Sequence, residues 1–178
     1  MKKLFFLSAI LISLSTATLS AKDATVINAE ADAAITKFYA TVDGGQDFLS
    51  KVKGYVIFPV VLKGGFWVGG EYGEGVLRSG GANQGYYSTT TGSLGLQIGL
   101  QQKSVLIAFI SQRAYDNFLA STGWEGGVGV TANAAIWGAT RDLSTLSLES
   151  DSITFVFDEV GLMAGVDAQV GKIQKIER

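Results

Sequence analysis

The sequence contains no cysteine and no histidine. Lacking cysteine, the chain has no disulfide, no thiol nucleophile and no thiolate zinc ligand. It also lacks the sulfur on which a bacterial lipoprotein is acylated. Lacking histidine, it has no imidazole base, and a serine nucleophile such as Ser88 or Ser93 would need a lysine or something rarer as its base. Proline occurs once and charged residues make up only 17%, while 47% of the chain is hydrophobic. That balance belongs to a folded domain rather than a disordered one. Long apolar runs are scarce too. Leu4 to Leu14, interrupted by Ser8 and Ser13, falls short of the ~20 residues that cross a bilayer as a helix.

That short run follows Met1, Lys2 and Lys3 and leads through small residues to Ala17 and Ala21. A positive start, an apolar stretch and a small-residue end make a secretory leader rather than a membrane anchor. Scission after Ala17 would place Ser15 three residues before the cut, and scission after Ala21 would place Leu19 there. We take residues 1–21 as the leader, since the mature chain then starts on the polar Lys22. Residues 22–178 are enough for one domain with a sizeable core. Loss of Lys2 and Lys3 leaves 12 basic residues against 16 acidic ones, a net charge of −4. Nucleic acid is therefore not an expected partner, because phosphate contacts need a basic surface. The expected compartment is the periplasm of a Gram-negative-type cell.

Ala24 to Ala40 has helical spacing, with Ile27, Ala31, Ala34 or Ile35, and Phe38 on one side. Asp43-Gly44-Gly45 ends it, and Asp47 to Lys53 is a short approach with helical character. From Gly54 the period is two. Tyr55 to Leu62 is an apolar strand whose Pro59 marks an edge or a bulge. Gly64 to Leu77 reads as one strand, nearly bare of side chains on the face that carries Glu71. Twelve of the 23 glycines fall between Gly64 and Gly99, which predicts close backbone approach. Ser93 to Gln102 alternates cleanly, and Ser104 to Ile110 is apolar on both faces and so central. Gln112 to Leu119 reads as a helix, and Gly126–Gly138, Ile153–Phe157 and Leu162–Ile176 as further strands. The expected fold is α+β: a predominantly antiparallel sheet of about seven strands, barrel- or sandwich-like, with two or three packed helices.

Phe58-Pro59, then Lys63 to Leu77, resembles the signature block of the SYLF-domain family, and Gly85-Tyr86-Tyr87-Ser88 and Gly92 to Gly99 continue it in order. Gly161 to Val166 is similar to the family's Gly-Leu-aromatic-Ala-Gly-Val segment. The resemblance spans about Asp47 to Lys172. It implies a lipid-binding domain, with phospholipid or a membrane surface as partner. Eukaryotic relatives bind phosphoinositides and some act on actin. The first helix here is not basic, and Asp158-Glu159-Val160 stands where the family often has a basic residue. Phosphoinositide specificity is therefore not expected, nor is actin in a bacterial envelope. The candidate lipid contacts are Lys51, Lys53 and Lys63, with Phe66 and Trp67 as apolar anchors near the same end. Trp67 could equally be core.

The residues offer no strong case for catalysis. Glu71 and Glu74, three apart in a strand, point to opposite faces and are expected to be structural. Gly127-Val128-Gly129-Val130-Thr131-Ala132 matches a dinucleotide fingerprint in letters only, because a helix and turn precede it rather than a strand. No cofactor or metal is expected. Two alternatives remain: a purely structural or partner-binding envelope protein, and a small outer-membrane barrel. The barrel is disfavoured by the amphipathic first helix and by an end, Lys175 to Arg178, without a terminal aromatic. The absent cysteine makes one outcome testable. Mass spectrometry of the protein purified from envelopes should show an unmodified chain, with no acyl increment.

Overall fold

The structure, a computed structural model, describes residues 22–66, 68–94, 99–121, 124–125, 133–134, 151–161 and 171–178. The predicted leader, Trp67 and the Gly127–Ala132 fingerprint lie outside the described residues. Helix α1 (Ala24–Thr41) starts at Asp23, whose side chain accepts a hydrogen bond from the Thr25 amide and so satisfies one of the free donors of the first turn. It buries Ile27, Ala31, Ala34, Ile35 and Phe38, the stripe read from the spacing. Helix α2 (Gly45–Lys51) follows after Gly44, which takes a left-handed conformation at φ 73°.

The sheet is built from β1 (Gly54–Phe66), β2 (Val68–Ser79), β3 (Ala82–Leu94), β4 (Gly99–Phe109), β7 (Ser152–Gly161) and β8 (Lys172–Ile176), all paired antiparallel. Two-residue strands β5 (Trp124–Glu125) and β6 (Asn133–Ala134) extend its edges, β6 in parallel. The order is β5-β8-β3-β2-β1-β4-β7-β6. Helix α3 (Gln112–Ala120) is capped by Ser111, whose hydroxyl accepts from the Ala114 amide. The α+β class, the antiparallel sheet and three helices agree with the sequence reading. Closure does not: β5 and β6 are the two ends of a single open sheet, neither barrel nor sandwich.

Two strand boundaries also differ. Gly64 to Leu77 is not one strand, because Phe66 pairs with Val68 and the chain reverses between them. Ser93 to Gln102 spans the end of β3 and the start of β4, which lie on opposite sides of the β1–β2 hairpin. Alternation survives a reversal when both arms keep the same faces, so period two cannot reveal it.

Both faces of the sheet are covered. On one, Ile57, Val76, Leu106, Ile153 and Phe155 join the buried side chains of α1 and α2 in a single cluster. On the other, Val56, Phe58, Leu77, Ile107 and Val156 pack with Ala114, Tyr115 and Phe118 of α3. Alternate residues of β1, β4 and β7 feed opposite clusters, which explains the unbroken apolar run of Ser104 to Ile110.

Pro59 creates a bulge in the middle of the sheet, not at an edge. Three steps on β1 (Ile57 to Val60) oppose two on β2 (Val76 to Glu74), and Phe58 to Val61 likewise opposes Val105 to Lys103. One extra residue opposes both neighbours, as in a β-bulge. The freed Pro59 carbonyl accepts a buried hydrogen bond of 2.7 Å from the Ser104 hydroxyl. The glycines of β2 make room for the bulge. A Cβ at Gly75 would collide with the Ile57 carbonyl oxygen and lie 2.7 Å from Phe58 Cδ1. One at Gly73 would lie 3.0 Å from the Val60 carbonyl oxygen and 2.9 Å from Val61 Cγ2. Gly92 of β3 has nothing within 4 Å of the same position. Gly75→Ala should therefore destabilise the domain by ~1–3 kcal/mol, and Gly73→Val by at least as much. Gly92→Ala should stay within about 0.5 kcal/mol of the parent. Denaturant melts of the three variants check this ranking.

Candidate functional site

Beyond the bulge, the two faces of the β1–β2 hairpin carry separate charged networks. On the α3 side, Glu71 lies 2.9 Å from Lys103 Nζ and 3.5 Å from Lys63 Nζ. All three side chains are nearly buried, at 6%, 10% and 12% exposure. Lys63 stands opposite Glu71 in register, and Lys103 is brought alongside by the pairing of β1 with β4. Buried charges persist only when paired. Glu71 thus has a structural partnership with lysine, as the strand spacing implied.

On the α1 side, Glu74 is 4% exposed. Its Oε1 accepts from the Tyr72 hydroxyl and from Arg178 Nη2, both at 2.6 Å, and its Oε2 accepts from the Lys22 backbone nitrogen at 3.1 Å. Burial alone would raise the Glu74 carboxyl, but the hydrogen bonds from Tyr72, Arg178 and Lys22 outweigh it and hold the group below its ordinary value of 4.5. Tyr72 is pushed up to about 12, first by burial and then by donating to the Glu74 carboxylate. The phenol therefore remains a donor at any physiological pH. Glu71 and Glu74 share no partner, so the pair is not arranged as an acid–base couple.

Further polar ties hold α1 to the sheet. Arg78 Nη2 reaches Asp32 at 2.7 Å, Asn28 donates to the Tyr86 hydroxyl at 2.9 Å, and Lys37 pairs with Asp158. Asp158 sits at φ 57°, where β7 bulges against β4.

The proposed contact residues do not form one patch. Lys51 and Lys53 are exposed near the start of β1, Lys51 paired with Asp47 and Lys53 joined through its backbone to Phe109 and Ser79. Lys63 is buried with Glu71 near the other end of the strand. At ~3.3 Å per residue, Lys53 and Phe66 are separated by about 40 Å. The basic pair and the apolar residues therefore cannot act at one end, as the sequence grouping assumed.

What the register does gather is apolar. Phe66 pairs with Val68, Val68 with Leu94, and Gly64 with Leu100, so the register assigns four apolar positions to one end of the sheet. Just inside them Leu62 and Tyr72 face each other across β1 and β2, 38% and 36% exposed. Among the described residues the other large exposed apolar ones, Val26, Tyr39 and Leu119, lie apart on α1 and α3. A shallow depression lined by Tyr39, Gly44, Gln46, Asp47 and Ser50 has a single charged side chain, Asp47, and that is paired with Lys51. Among the described residues no helix is long and apolar enough to cross a membrane, and no three acidic residues group to hold a metal.

Glu74 gives a pH dependence of known sign. Its folded carboxyl titrates below the unfolded one, so its stabilisation is complete above the ordinary value of 4.5 and is lost as pH falls through the folded value. Glu74→Gln should lower the melting temperature at pH 7, and the gap to the parent should close towards pH 3. Melting curves of both proteins across that range check it.

Residues 90–177 match the family described as Ysc84: Las17-binding protein actin regulator. The matched region runs from the end of β3 through β4, α3, β5, β6, β7 and β8. The glycine-rich β1–β2 hairpin precedes it. A search of curated proteins finds no match.

Proposed function

Residues 90–177 place this chain in the SYLF (Ysc84) family, and from that premise we propose an exported, non-catalytic domain that binds phospholipid at a membrane surface of the cell envelope. The observation that carries the reading is the exposed Leu62–Tyr72 pair near one end of the sheet, an end to which the strand register also assigns the apolar positions Phe66, Val68, Leu94 and Leu100. Strand ends surrounded by water favour polar turn residues, whereas a surface that enters the headgroup region favours large apolar and aromatic ones. Tyr72 suits such a boundary, with an apolar ring and a hydroxyl satisfied inside the protein by Glu74.

Charge contributes less in this reading. The mature chain is acidic, and its exposed Lys51 and Lys53 stand at the far end of β1. Apolar insertion is the main source of affinity, and attraction between surface charges is screened beyond about 8–10 Å at physiological salt. Actin is not proposed as the partner, since an exported bacterial domain would not meet it. The barrel alternative gains no support from an open sheet. A structural or partner-binding role is the outcome if lipid is never bound.

Vesicle flotation tests the proposal. The parent should float with phospholipid vesicles at low and high salt alike. Leu62→Asp should weaken binding about tenfold, in keeping with ~1.5–3 kcal/mol for withdrawing a leucine from an apolar phase. Lys51→Glu with Lys53→Glu should change it less than about twofold. Binding that vanishes with salt and requires strongly anionic vesicles would replace insertion by electrostatics.

A further inference from the structure

Nothing in the composition decides between scission after Ala17 and after Ala21, but the fold supplies a criterion. The backbone nitrogen of Lys22 lies 3.1 Å from Oε2 of Glu74, a carboxylate 52 residues away and 4% exposed. The next residue, Asp23, caps α1, so the contact is made at the entrance to the helix. The Lys22 side chain is committed elsewhere, its Nζ held by Glu30 at 2.6 Å. The main-chain nitrogen, not the ammonium of the side chain, is therefore what Lys22 presents to Glu74.

We propose that the bond between Ala21 and Lys22 is the maturation site, and that the α-ammonium released there is the ligand for which the Glu74 carboxylate is placed. The inference rests on the export part of the proposed function and is independent of lipid binding. In the hydrolysis, water adds across the peptide bond. Ala21 leaves with the new carboxylate, and Lys22 keeps its nitrogen, protonated to an ammonium. Before scission that nitrogen is a neutral amide with one proton to donate. Afterwards it carries a full charge and three donors, and hydrogen bonds between ionised partners are roughly twice as strong as neutral ones. Scission after Ala17 would achieve none of this, because four residues would still precede Lys22 and its nitrogen would remain an amide.

The consequence is a latch that closes on processing. Glu74 also holds Arg178, beyond β8, so one buried carboxylate ties the segment before α1 and the segment after β8 to the middle of β2. The domain reaches its full stability only once the leader is gone, while the precursor stays easier to unfold for passage through a membrane. The groups around the new ammonium are Glu74, Tyr72 and Arg178 at the contact and Glu30, eight residues along, which holds the Lys22 side chain.

The full chain with its own leader, produced in a Gram-negative host and recovered from the envelope, provides the test. N-terminal sequencing should read Lys22 first. Selective Nα-acetylation of that protein should lower its melting temperature by about 2–4 °C, and the same treatment of Glu74→Gln should change little. Should Glu74→Gln not fold, the parent still decides the matter. The Lys22 α-amine, followed by NMR after ¹³C-methylation, should titrate above the ordinary 7.7–8.0 of a chain terminus. A mature chain that begins at Thr18 overturns the inference and leaves export intact. An unprocessed chain overturns both. An α-amine that titrates in the ordinary range, or acetylation without effect on the parent, also overturns it.

Discussion

A strand that must serve two buried faces cannot change which residues it gives to each unless its pleat is interrupted, and in β1 that interruption is Pro59. Before the bulge, Ile57 serves the α1 face and Val56 and Phe58 the α3 face; after it, Val61 again serves the α3 face, three residues from Phe58. A regular strand would have sent Val61 to the opposite side. Lys63 follows the same shifted parity, which is why it meets Glu71 rather than the α1 layer. The bulge needs a hydrogen-bond donor for its carbonyl, met by Ser104, and space beside it, met by Gly73 and Gly75. Register, ion pairing and the glycine content of β2 all descend from this one irregularity.

The two charged networks follow from the same geometry. Once parity is set, Glu71 and Glu74 are committed to opposite faces, and each must be neutralised where it is. Glu71 is matched by Lys103 of β4 at 2.9 Å and Lys63 of β1 at 3.5 Å. Glu74 is met from outside the hairpin by Lys22 and Arg178. One network stiffens the sheet locally. The other binds distant parts of the chain to it.

Much of the fold was legible in the sequence. The buried stripe of α1, the inner side of α3 at Ala114, Tyr115 and Phe118, and the two-faced burial of β4 were all visible as periodicities. The glycine cluster signalled close backbone approach, and the neighbours of Gly73 and Gly75 include main-chain atoms of β1, the Val60 and Ile57 carbonyls. The reversals were not legible. The division expected between Leu62 and Gly64 does not occur, because both lie in β1, while the chain reverses between Phe66 and Val68, residues of high strand propensity. Gly80 and Gly81, with φ of 58° and 79°, form the β2–β3 turn that a two-glycine hairpin signal would have located. The candidate site suffered from the same gap. Lys51, Lys53 and Lys63 are near in sequence, but a 13-residue strand separates the first two from the apolar end. Glu74's partners, Lys22 and Arg178, are too remote for any local pattern to reveal.

The contact between α1 and β7 bears on the order in which the molecule can be built. Phe38 rests against Phe155 and Phe157, with ring centroids 5.0 and 5.5 Å apart. Those partners are made more than a hundred residues after the helix. Until they arrive, the apolar stripe of α1 has only part of its seat, and closing so long a loop must precede the contacts that compensate for it. Strand β3 waits in the same way for β8, the last strand of the chain. A polypeptide wired like this cannot complete its core from its first half. It remains a threadable, uncommitted chain until its last fifth has emerged, and then has every layer available to assemble together.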